Sequence, residues 1–159
     1  MDPHLDTHVV LGVEIAVARW GRASGRNVLM LHEGLGSITQ WRDLPERIHA
    51  ATGATVTAYD RAGYGRSRWG ATRYEADFMH REAEALPHLL TSLGIDDPIL
   101  FGHSDGASIA LIAAGSALVA PAAIAVVAPH VSVEQVCLDG IDAITQQRDA
   151  VVERLARHH

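Results

Sequence analysis

The chain holds one cysteine, Cys137, so it forms no intrachain disulfide. No Cys/His pair stands at zinc-ligand spacing, and no metal site is expected. Clusters of Lys and Arg are missing too. With 13 basic against 19 acidic residues the formal net charge is −6, and without a basic face nucleic acid is not an expected partner. No low-complexity tract or internal repeat interrupts the 159 residues, a length that suits one domain with a real core. The opening residues, MDPHLDTHVV, are acidic and carry no apolar run of signal length, so a cytoplasmic location is the expectation. Charge is absent from one long stretch, Gly106 to Val133. Its length could span a bilayer, but it is rich in Ala, Ser and Gly, and Pro121 divides it. A buried helix followed by a buried strand explains it better, and a membrane is not an expected partner.

What is present is an alternation of short apolar runs and amphipathic stretches. Residues 9–20 hold β-branched side chains around Gly12 and predict two strands or a bent ribbon. Val28–Leu31, Ala54–Tyr59, Ile99–Phe101 and Ala122–Ala128 are further strand-length runs. Between them, 41–51, 78–93 and 107–117 predict helices, with Leu44 and Ile48 on one stripe of the first and Leu86, Leu89, Leu90 and Leu93 on one face of the second. Pro87 is expected to kink or divide that second helix, because it has no N–H to donate. Two amphipathic stretches, 133–147 and 149–158, finish the chain. Strands alternating with helices predict an α/β fold, a mostly parallel sheet of about six strands flanked by helices.

In such sheets chemistry gathers in the loops that follow the strands. Three loops stand there: HEGLGS (32–37), DRAGYGRS (60–67) and GHSDGA (102–107). Gly102-His103-Ser104-Asp105-Gly106 between a strand and a helix is the pattern of a nucleophile elbow. The tight turn lifts the Ser104 hydroxyl above the sheet, and side chains in place of Gly102 and Gly106 would collide with neighbouring elements. A helix N-terminus behind Ser104 favours developing negative charge. The loop after Leu31 can aim the Gly34 N–H at the same space, where with the Asp105 N–H it would form an oxyanion hole. Asp60 is read as the acceptor that ties its own turn.

Together the three loops resemble the α/β-hydrolase fold family, over about residues 9–130: an HG-type loop, a D-x-x-G-x-G-x-S turn and a G-x-S-x-G elbow, in that order. The resemblance implies an incomplete hydrolase core over 1–132 and the beginning of a helical lid over 133–159. It implies Ser104 as nucleophile, backbone N–H groups of Gly34 and Asp105 as the oxyanion hole, a small carbonyl compound as substrate, and no cofactor. Epoxide hydrolases and haloalkane dehalogenases carry Asp where this chain has Ser104, which points instead to the serine branch of esterases, thioester and carbon–carbon hydrolases and lactonases. The chain departs from the pattern at Glu33, where glycine is usual, and at Asp105, whose carboxylate would oppose an oxyanion if it turned inward.

The family's acid and base histidine follow later strands, and no run after His130 reads as another strand. They are therefore expected beyond residue 159. Among the histidines within the chain, His103 is expected to point below the site, because strand neighbours alternate, and His32 to be structural. His130 follows the strand beside Ser104. It is read as a pocket or lid contact, with a Ser104–His130 pair as the rival; His158 and His159 read as a solvated helix end. A natural short form that binds a small ligand without turnover is the alternative to a hydrolase. The uncovered sheet edge also predicts self-association of the 159-residue chain.

Overall fold

The computed structural model describes residues 2–22, 25–70 and 75–157. The elements run β1 (His4–Val10), β2 (Val13–Trp20), β3 (Asn27–Leu31), a 3-10 turn (Ile38–Trp41), α1 (Leu44–Thr52), β4 (Thr55–Tyr59), α2 (Phe78–Leu93), β5 (Pro98–His103), α3 (Asp105–Gly115), β6 (Ala123–Val127), α4 (Gln135–Gln146) and α5 (Arg148–Leu155). The six strands form one sheet in the order β1-β2-β4-β3-β5-β6. β4, β3, β5 and β6 run parallel, whereas β1 and β2 form an antiparallel ribbon that joins antiparallel to β4. Leu11 and Gly12, both at positive φ, make the tight turn of that ribbon.

Alternation along the strands divides the core into two layers. One face of the sheet presents Ile15, Val17, Leu29, Leu31, Tyr59 and Leu100 to α2 and α3. The other presents Ala18, Trp20, Val28, Met30, Val56 and Ala58 to α1 and the 3-10 turn. Full burial of Leu29, Leu31, Leu86 or Leu100 is worth about 1.5–3 kcal/mol each. α2 spans the predicted residues and buries the expected leucines together with Ala83, but it runs unbroken through Pro87. The residue four before the proline is that buried Ala83, so packing on the sheet holds the helix together where one backbone hydrogen bond is lost.

The predicted buried strand after Pro121 forms, but it is not buried. In β6 only Ile124 packs against the core, and Val127 is 49% exposed. Among the described residues β6 is an edge strand paired only with β5, and neither α4 nor α5 has a buried residue with which to cover it. No helix among the described residues is long and apolar enough to cross a membrane. His158 and His159 lie outside the described residues.

Candidate active site

The elbow is built by close packing. β5 ends at His103 and α3 begins at Asp105, so Ser104 alone makes the turn, at φ 53° and ψ −116°. A non-glycine residue held there stores on the order of 1–3 kcal/mol of strain. Two ties secure it: the Ser104 N–H donates to the Val127 carbonyl at 2.9 Å, and the Ser108 N–H donates to the Ser104 carbonyl at 3.1 Å. The flanking glycines allow α3 to lie against the sheet. A Cβ at Gly102 would stand 2.5 Å from the Ala107 Cα, and one at Gly106 would stand 2.1 Å from the Leu31 carbonyl oxygen.

Ser104 opens into a cleft of about 530 Å³ lined by Glu33, His103, Ala128, Pro129, His130, Ser132, Glu134 and Cys137. His103, half-buried at the end of β5, also borders this cleft. His130 reaches the serine, with its Nε2 2.9 Å from Ser104 Oγ. The His130 N–H donates to Ser108 Oγ at 2.8 Å, which fixes the loop after β6 against α3.

Asp105 turns inward. Its Oδ1 lies 3.3 Å from the same His130 Nε2, and its Oδ2 lies 3.8 Å from Arg61 Nη2. A Cβ at Gly34 would stand 2.8 Å from that Oδ2, so the loop after β3 abuts the elbow directly. Neither the Gly34 N–H nor the Asp105 N–H has a hydrogen-bond partner among the described residues; the latter is one of the donors that a helix N-terminus leaves free. The serine and the carboxylate thus meet a single ring nitrogen. A carboxylate on Nε2 favours a proton there, whereas a base for Ser104 needs that nitrogen bare.

The D-x-x-G-x-G-x-S turn is structural, as its residues suggested. Asp60 is 2% exposed; its Oδ1 accepts the Ile38 N–H at 2.6 Å and its Oδ2 the Arg66 N–H at 2.9 Å. Ser67 Oγ donates to the Asp60 carbonyl and accepts the Ala16 N–H, joining the turn to β2. Beside it lies what the sequence left unread, Arg61, fully buried and in reach of both other loops. Its position directly after Asp60 was visible; its burial depends on contacts between distant segments. No group of three or more potential metal ligands occurs among the described residues.

The family model described as alpha/beta hydrolase fold matches residues 26–146. The chain belongs to the alpha/beta hydrolase fold family. Among curated relatives of this hydrolase-fold chain, a serine hydrolase-like protein of Dictyostelium discoideum is 30% identical over 152 residues, covering 91% of this chain and 37% of the relative. The serine hydrolase BPHL of Homo sapiens is 43% identical over 60 residues, 38% of this chain and 21% of the relative. The chain therefore spans well under half the length of both. Solved structures show the same fold: a predicted CIB-like hydrolase from Thermoplasma acidophilum superposes with a TM-score of 0.71 at 20% identity, over 81% of this chain and 64% of that one. A membrane phospholipase A superposes with a TM-score of 0.75 at 19% identity, over 84% and 42% respectively.

Proposed function

We propose that this hydrolase-fold chain carries the nucleophile and oxyanion hole of a serine hydrolase acting on a small carbonyl compound, an ester, thioester, lactone or activated carbon–carbon bond. The observation that carries the reading is the elbow: a strained Ser104 at a helix N-terminus, its hydroxyl in a cleft, with two free amides in the adjoining segments. Ser104 Oγ attacks the carbonyl carbon and gives its proton to a base, while the Gly34 and Asp105 N–H groups hold the oxyanion. Collapse expels the leaving group with that proton, and water then releases the acyl group from serine. This chemistry needs no cofactor and takes a small molecule, not nucleic acid or a lipid surface, as partner; a cytoplasmic location suits it. The printed names of the two curated relatives support a serine hydrolase.

The acid and base histidine belong, in this reading, to chain outside residues 1–159. Two features support that: the longer relatives, and the Asp105 carboxylate on His130 Nε2, which works against that nitrogen serving as a base. A second reading rests on the 2.9 Å contact itself, with His130 as the base for Ser104. Fluorophosphonate labelling and ester hydrolysis by the intact gene product test both readings. Ser104→Ala should abolish both signals, and retention of either would end the proposal. His130→Ala should leave turnover within a few-fold of wild type; a loss of about a hundredfold or more would assign the base to His130.

A further inference from the structure

Arg61 touches none of the atoms that acyl transfer would rearrange, yet it joins the three loops around Ser104. It is fully buried, and a buried guanidinium is costly unless it is held by partners. Its Nη2 donates to the Glu33 carbonyl oxygen at 3.0 Å. Its backbone N–H donates to His32 Nε2 at 3.1 Å. The guanidinium carbon stands 4.7 Å from the centre of the Tyr64 ring, and Nη2 is 3.8 Å from Asp105 Oδ2. Among the described residues Nε and Nη1 have no hydrogen-bond partner.

The identity of the acceptor matters most. The Glu33 carbonyl and the Gly34 N–H belong to one planar peptide unit, and no cis bond occurs among the described residues. Holding the oxygen therefore fixes the direction of the N–H on the opposite side. Two donors hold it. Because His32 Nε2 accepts the Arg61 N–H, the imidazole proton sits on Nδ1, which donates to the same Glu33 oxygen at 2.7 Å. A charged donor on the carbonyl also polarises the amide and strengthens its N–H as a donor. Beside Gly34 lies the Asp105 carboxylate, a charge that would oppose an oxyanion if nothing offset it.

We propose that Arg61 is a positioning residue of the oxyanion hole: it orients and polarises the Glu33–Gly34 peptide and offsets the Asp105 carboxylate next to it. The inference rests on the assignment of Ser104 as nucleophile and Gly34 as donor. Its test uses Arg61→Met, Arg61→Lys and wild type in the intact gene product. Three quantities are measured: the thermal midpoint, the second-order rate of fluorophosphonate labelling, and the 31P resonance of the Ser104 adduct.

Arg61→Met leaves the Asp105 carboxylate and the Glu33 carbonyl without their buried cation, so its midpoint should fall, and the rate and resonance are read at a temperature where the variant is folded. Its labelling rate should fall about tenfold to a hundredfold, less than deletion of a donor outright, and its adduct resonance should move. Arg61→Lys should recover part of both. A purely structural role would shift the midpoint and leave the resonance of a folded variant in place. A folded Arg61→Met with wild-type rate and resonance overturns the inference while the Ser104 assignment stands. If Arg61→Met does not fold, Arg61→Gln carries the same test with the same two outcomes. Wild type that fails to label at Ser104 overturns the assignment and this inference together.

Discussion

Replacing Gly106 by alanine tests whether close packing of α3 on β3 sets the position of the nucleophile. The new Cβ would stand 2.1 Å from the Leu31 carbonyl oxygen, 2.5 Å from its carbon and 2.7 Å from the His32 carbonyl oxygen. Ordinary contact begins near 3.4 Å, so α3 or the end of β3 must withdraw by more than an ångström. All three atoms are backbone, and no side-chain rotation can relieve them. Overpacking of a close-packed interior costs about 1–3 kcal/mol, and without relief the upper end applies, about 3 kcal/mol. The same withdrawal moves Ser104 relative to the loop carrying Gly34, and a misplacement of about 1 Å costs on the order of a hundredfold in rate. Urea denaturation followed by tryptophan fluorescence reads the first quantity, and fluorophosphonate labelling the second. Gly140→Ala is the control: it lies within α4, and its Cβ would meet nothing within 4 Å, so the same exchange should add about 0.5–1 kcal/mol. A Gly106→Ala protein within about 0.5 kcal/mol of wild type that labels at the wild-type rate would refute the argument.

Two further outcomes follow from other parts of the molecule. Burial raises the Glu82 carboxyl above its ordinary value of 4.5, against the lowering influence of Arg61. Its contribution to stability is therefore full below that ordinary value and lost as pH rises through the raised one. Glu82→Gln should be more stable than wild type at neutral pH, with the difference closing toward about pH 4; thermal midpoints that diverge in the opposite direction would refute the sign. At the sheet edge, β6 exposes Val126 and Val127, and α4 exposes Val136 and Ile141. The 159-residue chain should self-associate through these faces, and a monodisperse monomer by light scattering would count against it.

Much of the frame was legible because it rests on local chemistry. Period-2 and period-3.6 patterns marked the strands and helices, with α2 at residues 78–93. The two glycines of the elbow announced a close approach, and a Cβ at Gly106 or Gly102 would indeed stand only 2.1 or 2.5 Å from a neighbouring backbone atom. The acceptor role of Asp60 toward its own turn was also readable, since the Arg66 N–H follows within a few residues, whereas its bond from the Ile38 N–H, 22 positions away, was not. Errors arose where one element depended on another that the pattern could not locate. An apolar run predicts burial only if something covers it, and β6 has a neighbour on one side alone.

Sequence by itself thus determined the α/β class, the loop positions and Ser104 at a strand–helix junction, because spacing and glycine placement are properties of neighbouring residues. Tertiary structure alone decided what surrounds that serine. It placed His130 Nε2 against Ser104 Oγ and the Asp105 carboxylate on that same nitrogen. It also buried Arg61 beneath the Glu33–Gly34 peptide. These contacts join residues from 25 to 44 positions apart, and only the pairing of β4, β3, β5 and β6 in one sheet brings them within reach.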